Sequence, residues 1–197
     1  MKILSIIPIL FFCLSCNNKN IKIAEQSDNS EFKDYQNEVM KEEDILFNGK
    51  LKRYFTLNEF ENVFGKPDSI KLMSEEKPCS YIFENEDGSK DLQDKYLYKN
   101  GSQFENTKEK VAVNEFRFIK NNYILFKGIR LNSSTSINEL EKIFPNAMKD
   151  IETLDVYKEG KLQVIKLRED ENNVSDGHIK IFIKNNKLYF MHWWFPC

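Results

Sequence analysis

Two short segments of this chain carry apolar residues at helical spacing, and the second segment repeats the first. Residues 56–64 and 136–144 match at an offset of 80, and each has an apolar residue at every third or fourth position. This spacing predicts two amphipathic helices of about nine residues, too short to be stable without packing on other elements. The stripes consist of Leu57, Phe60, Val63 and Phe64, and of Ile137, Leu140, Ile143 and Phe144.

The same segments carry start and stop signals for a helix. Thr56 with Glu59, and Ser136 with Glu139, have the spacing of a capping box, in which each side chain satisfies a backbone N–H of the other residue. A glycine follows the first stripe and a proline follows the second. Both residues predict that the helix ends there.

Each helix is followed by residues with the alternation and turn signals of a β-meander. The two meanders share the motif Phe-Ile-Lys-Asn-Asn, at 118–122 and at 182–186, which predicts a hairpin turn in each. The predicted strands are Ser69–Ser74, Ser80–Glu84, Tyr96–Lys99, Val111–Lys120 and Tyr123–Leu131, and then Asp155–Lys158, Leu162–Arg168, His178–Lys184 and Lys187–Phe195.

A further repeated motif precedes each helix: Ile45–Gly49 has its counterpart in Ile124–Gly128. The sequence therefore predicts an α+β protein with two tandem units, residues 45–123 and 124–197. Each unit is expected to be a short helical segment packed on an antiparallel β-meander.

This arrangement resembles the β-lactamase-inhibitor-protein-like fold, and it is similar to the small outer-membrane-assembly lipoproteins, which carry a single such unit. The resemblance covers residues 45–197. It rests on the capped helices that end in Val63–Asp68 and Ile143–Asn146 and on the period of about 80 residues. It implies the fold, and no functional residue is transferred from it.

The first residues form a secretory signal that ends in a cysteine. Lys2 precedes an apolar stretch of about a dozen residues, well below the roughly 20 needed to span a bilayer as a helix. Leu14-Ser15-Cys16 follows, and it resembles the lipobox of bacterial lipoproteins. We therefore expect residues 1–15 to be a signal peptide and Cys16 to carry lipid, including palmitate. A plain secretory signal and a retained membrane helix are the alternatives.

Residues 16–44 are predicted to be the lipidated N-terminus and a polar tether, with a short amphipathic helix near residues 32–40. In lipoproteins generally, an aspartate directly after the lipidated cysteine favours retention in the inner membrane. Asn17 stands at that position here, so the resemblance favours the outer membrane. The lipid is thus the expected contact with the membrane.

The charge pattern argues against nucleic acid as a partner, and the cysteines allow one disulfide. The 29 basic and 31 acidic residues are interleaved, so no basic surface for nucleic acid is expected. Of the four cysteines, Cys13 leaves with the signal and Cys16 takes the lipid. Cys79 and Cys197 are candidates for a disulfide in an oxidising compartment, and two separate thiols are the alternative.

No motif for catalysis, a metal or a cofactor is recognisable. His178 and His192 are 14 residues apart and are interpreted as structural or surface histidines. The acidic stretch 170–177 fails the calcium-loop pattern at its glycine and glutamate positions. Serine, cysteine and histidine form no nucleophile motif. We therefore expect a protein that is not an enzyme.

The aromatic segment Lys187–Phe195 is the strongest candidate for recognition. On a strand its residues alternate between two faces, and the helices can cover only one face of a sheet. A buried strand with two core faces is the alternative to an exposed aromatic face. Alternation places Tyr189, Met191, Trp193 and Phe195 on one face and Phe190, His192 and Trp194 on the other; the candidate binding residues are Tyr189, Met191, Trp193, Trp194 and Phe195.

These features predict a lipid-anchored cell-envelope protein that binds another envelope protein through an aromatic sheet face. An immunity or inhibitor protein against a toxin or hydrolase is one alternative. A carrier of a small ligand or lipid, or a hydrolase, is another, and either would need a deep pocket with converging polar groups.

Overall fold

The computed structural model describes residues 36–196, which belong to a single compact unit. Residues 1–35, with the predicted signal peptide and Cys16, and Cys197 lie outside this range. The helices are α1 (Leu57–Phe64), α2 (Met73–Glu76) and α3 (Ile137–Ile143), with 3-10 turns at Glu42–Asp44 and Ala147–Asp150. The strands are β1 (Ile45–Phe47), β2 (Tyr54–Thr56), β3 (Ser69–Leu72), β4 (Lys95–Lys99), β5 (Ser102–Thr107), β6 (Lys110–Arg117), β7 (Tyr123–Phe126), β8 (Ile129–Asn132), β9 (Glu152–Val156), β10 (Gly160–Arg168), β11 (His178–Lys184) and β12 (Lys187–Trp194).

Two antiparallel sheets with short helices make this an α+β protein, as the sequence predicts. The large sheet has the order β3-β4-β5-β6-β12-β11-β10-β9, with β2 also paired to β6. The small sheet has the order β1-β7-β8. The large sheet runs without a break through both predicted units, and β6 and β12 join its two halves as an antiparallel pair.

Both predicted capping boxes are present. The Thr56 N–H donates to Glu59 Oε2 at 2.8 Å, and the Glu59 N–H donates to Thr56 Oγ1 at 3.2 Å. Ser136 and Glu139 repeat this exchange at 2.7 and 3.3 Å. The caps satisfy N–H groups that have no partner within a helix, which explains why α1 and α3 begin where they do.

Several predicted strands differ from the structure. Tyr123–Leu131 breaks at Lys127 and Gly128, which both have positive φ, and its two parts enter the small sheet. Ser80–Glu84 is irregular, and β3 ends at Leu72, where α2 begins. Residues 36–40, inside the predicted N-terminal helix, are extended, because Met40 N–H donates to the carbonyl of Arg168 at the end of β10.

The main core lies between one face of the large sheet and a layer formed by the small sheet with α1 and α3. Phe47 of β1 packs edge-on against Phe116 of β6, with ring centroids 4.8 Å apart, and it also contacts Trp193 of β12. The other face of the large sheet carries a smaller apolar cluster, Leu162, Val164, Phe182 and Phe190. No helix within residues 36–196 is long and apolar enough to cross a membrane.

Candidate functional site

A β-bulge in β12 decides which aromatic side chains face the main core. Phe182 pairs with Phe190 but Ile183 pairs with Leu188, so Tyr189 is the extra residue. Tyr189 therefore lies on the same side as Phe190, with the smaller apolar cluster, and not beside Met191 as strict alternation predicts.

The five candidate binding residues are divided between the core and the surface. Met191 and Trp193 are buried in the main core, at 0% and 3% exposure. Trp193 still forms part of a cleft wall, together with Trp194 and Phe195, which are half-buried. Tyr189 lies outside this cleft.

The same bulge brings both histidines of the chain to one face. An unbulged hairpin closed by Asn185 and Asn186 would place His178 opposite Trp193, and the two histidines would face opposite sides. In the structure His178 lies opposite Trp194, and Lys180 lies opposite His192. The sequence shows the turn but gives no signal for the bulge, and for this reason the spacing of 14 residues does not predict the cluster.

Burial and nearby positive charge keep the histidines neutral. Burial, followed by the charge of Lys180, lowers the pKa of His178 and that of His192 to about 4. Lys180 Nζ lies 4.1 Å from the Trp194 ring centroid, in a cation–π contact. Near neutral pH the two imidazoles, of His178 and His192, are therefore neutral, and they lie beside the Lys180 ammonium and the Trp194 indole.

A cleft of about 560 Å³ opens between the face of the large sheet that carries His192 and Trp194 and the irregular segment 78–84. Its volume is in the range of ligand pockets, and six of its fifteen lining residues are tyrosine, tryptophan or phenylalanine. Its lining residues are Arg53, Tyr54, Pro78, Cys79, Ser80, Tyr81, Ile82, Glu84, Tyr96, Glu105, Asn114, His192, Trp193, Trp194 and Phe195.

Cys79, in the wall of the cleft, is disulfide-bonded. The other cysteines, including its predicted partner Cys197, lie outside the described residues. A disulfide at this position restricts the irregular segment at the point where it borders the cleft.

A buried carboxylate fixes the same segment to the sheet. The N–H groups of Ile82 and Phe83 donate to the two oxygens of Glu105 at 3.0 and 2.9 Å. Glu105 is only 1% exposed. Burial raises its pKa, and the two N–H donors act in the opposite direction. The segment 80–84 is thus held by hydrogen bonds to a side chain instead of by strand pairing. This explains why the strand predicted from its apolar residues does not form.

Arg53 closes one end of the cleft among aromatic rings. Its guanidinium carbon lies 4.6 Å from the ring centroid of Trp193, 5.2 Å from that of Tyr54 and 5.7 Å from that of Phe195. The residue is 5% exposed. Burial lowers its pKa. The sequence gives no sign of this role, because Arg53 lies between the first repeated motif and the first helix.

A charged network covers the smaller apolar cluster on the same face. Arg117 donates to Glu115 at 2.7 Å and to Glu159 at 2.6 Å, and its Nη1 also donates to the Tyr189 hydroxyl at 3.1 Å. Tyr189 and Lys184 donate to the second oxygen of Glu159. Burial opposes ionisation of Glu159, but these donors outweigh it and lower its pKa to about 2. None of the buried polar atoms of these residues lacks a hydrogen-bond partner, so the network can act as a scaffold beside the smaller apolar cluster.

Residues 36–196 contain no group of three or more histidine, cysteine, aspartate or glutamate side chains placed to hold a metal ion. Searches against protein-family models, curated proteins and solved structures found no match for this chain.

Proposed function

We propose that this chain is a non-enzymatic, lipid-anchored protein of the bacterial cell envelope that binds another envelope protein at the aromatic cleft. The observation that carries this proposal is the cleft itself. Tyrosine and tryptophan, the residue types enriched at binding hot spots, line it beside buried polar groups. They come from four separate parts of the chain, which the fold brings to one place.

The anchor in this proposal is the lipid on Cys16, left after removal of residues 1–15, with residues 16–44 as a tether and the outer membrane as the favoured location. A tethered domain meets membrane-bound partners at a raised effective concentration. Replacement of Cys16 by alanine is expected to leave the precursor unlipidated and uncleaved, as measured by mass spectrometry. A mature, lipidated product from that variant would overturn the anchor.

We also propose that residues 45–123 and 124–197 are two related units of the kind the resemblance implies. Their repeated Ile-Leu-Phe motifs, in β1 and β7, pair with each other in the small sheet, with Leu46 opposite its counterpart Leu125. Each of α1 and α3 precedes four strands of the large sheet, and the last strands of both sets, β6 and β12, pair at its centre. These relationships support the proposal of two related copies arranged about a twofold axis.

The test of the binding function is affinity purification of the lipidated protein from native envelopes after crosslinking. Trp194→Ala removes a cleft wall, and Tyr157→Ala, at a residue that is 85% exposed and not in the cleft, is the matched control. We expect one partner to be recovered with the wild type and with Tyr157→Ala, and to be depleted with Trp194→Ala. Equal recovery from all three proteins would contradict a role for the cleft.

A small-ligand carrier is a second candidate function, and the cleft volume of about 560 Å³ favours it. Native mass spectrometry of protein purified from its host distinguishes the two. A small molecule retained by the wild type and lost with Trp194→Ala, without a protein partner, would favour the carrier.

A further inference from the structure

Two arginines near the cleft differ in what their guanidinium groups contact. Arg117 makes short hydrogen bonds to Glu115, Glu159 and Tyr189. Arg53 is more deeply buried, yet its Nε has no hydrogen-bond partner among the described residues. A buried N–H donor without an acceptor is costly, and a native structure retains such a group where something else satisfies it.

The carboxylates around Arg53 do not supply these acceptors. Glu42 Oε2 lies 3.7 Å from Nη1, beyond hydrogen-bond distance. Glu105 accepts from Ile82 and Phe83, and Glu169 accepts from the Ser175 hydroxyl. These charges therefore act on Arg53 through space, and none of these carboxylates is an acceptor for its Nε.

Arg53 borders three cavities. The two smaller ones, of about 200 and 210 Å³, both have Glu42 and Glu43 in their lining, and these acids disfavour an anion there. The cleft is larger, and Glu105, one of its two acids, is held by backbone N–H groups. An anion would therefore reach Arg53 from the cleft.

We propose that Arg53 binds a carboxylate of the partner, an aspartate or glutamate side chain flanked by apolar residues. The inference rests on the proposed function of the cleft and names the group that the cleft receives. The planar guanidinium can hold both oxygens of a carboxylate, which a point charge such as lysine cannot match. The rings of Trp193, Tyr54 and Phe195 restrict the guanidinium and offer apolar surface beside it.

The first experiment uses small probes and intrinsic fluorescence on the full-length protein. The only two tryptophans of the sequence, Trp193 and Trp194, both line the cleft. Phenylacetate carries a carboxylate beside a ring, and phenylacetamide is its neutral analogue. We expect phenylacetate to change tryptophan fluorescence saturably at millimolar concentration, as suits so small a ligand, and phenylacetamide to bind at least about tenfold more weakly. Equal effects of the two probes would overturn the inference without any variant.

The matched variants are Arg53→Gln and Arg130→Gln. Arg130 lies over the Tyr123 ring and not in the cleft, so it controls for the loss of one positive charge. We expect Arg53→Gln to weaken phenylacetate binding at least about tenfold and Arg130→Gln to leave it unchanged. NMR gives a readout that needs no substitution. We expect the Nε–H resonance of Arg53 to shift as phenylacetate is added and that of Arg117 to stay in place.

A crosslinking experiment with the protein partner separates this inference from the proposed function. A photocrosslinking residue at Tyr54, in the cleft wall, reports capture of the partner in native envelopes. We expect Arg53→Gln to lower that capture at least about tenfold. Capture that is undiminished by Arg53→Gln would overturn the carboxylate assignment and leave the binding function standing. Absence of capture in the wild type would contradict the binding function, while the probe titration would still decide whether Arg53 binds a carboxylate.

Discussion

The imidazole of His178 packs against the indole of Trp194, with ring centroids 4.5 Å apart and planes tilted by 39°. The bulge at Tyr189 produces this contact, because it shifts the register by one residue and turns His178 and Trp194 to the same face. Trp194 in turn lines the cleft. His178 thereby packs directly behind a residue of the cleft wall.

A pH dependence of stability follows from the two histidines. Both have a folded pKa of about 4, below the value of 6.5 for an unperturbed histidine, because burial disfavours the charged form. Their contribution is fully present above pH 6.5 and is lost as the pH falls towards 4, since the unfolded chain takes up protons first. Urea unfolding at pH 7.5 and 5.0 should show a smaller loss for the His178→Asn, His192→Gln double variant than for the wild type. An identical loss would refute this coupling.

Glu105 is expected to control the exchange of two backbone amides. In Glu105→Ala the N–H groups of Ile82 and Phe83 lose their acceptors, and a buried donor left unsatisfied costs about 1 to 3 kcal/mol. Hydrogen exchange at both amides should accelerate at least about tenfold. Glu115→Ala is the control, because Glu115 is bonded to Arg117 instead. Comparable acceleration in the control would show that the effect is general destabilisation.

Gly177 and Phe195 are expected to be coupled. A Cβ on Gly177 would lie 2.5 Å from Phe195 Cε1, so Gly177→Ala must displace a ring that lines the cleft. Overpacking of this kind costs about 1 to 3 kcal/mol of unfolding free energy. The cost should fall in a Phe195→Ala background, as measured by urea unfolding. If it does not, the ring is not the obstacle.

The two capping boxes should contribute equally and independently. Thr56→Ala and Ser136→Ala are each expected to lower the unfolding free energy by about 1 kcal/mol, and the double variant by about twice as much. Thr56→Ser keeps the acceptor oxygen and should have little effect. Urea unfolding curves give all four values, and a neutral Thr56→Ala would show that packing alone fixes α1.

The sequence predicts what depends on local pattern. The two caps, helices α1 and α3 and the hairpin of β11 and β12 follow from residues near one another in the chain. The break at Lys127 and Gly128 could also have been predicted from the sequence, because the matching residues Asn48 and Gly49 form a turn signal in the first copy. The repeat itself therefore argues against a single strand over Tyr123–Leu131.

Most of what the sequence does not predict at the cleft depends on contacts across the chain. Glu105 accepts from the backbone N–H groups of a segment far from it in sequence, and Arg53 packs against Trp193 and Phe195 of the last strand region. The bulge at Tyr189 lies within a hairpin, and the turn residues of that hairpin give no signal for it. Local propensity treats Ser80–Glu84 as a strand and Arg53 as an ordinary surface charge, since neither pattern carries information about the distant partner.

The most direct test of the cleft as the binding site compares photocrosslinking from two exposed tyrosines. Tyr54 lies in the cleft wall at 45% exposure, and Tyr157 lies outside it at 85% exposure. With p-benzoylphenylalanine at each position in the lipidated protein in native envelopes, the cleft account predicts one crosslinked partner from Tyr54 and none from Tyr157. The same partner from both positions, or a partner from Tyr157 alone, would contradict it.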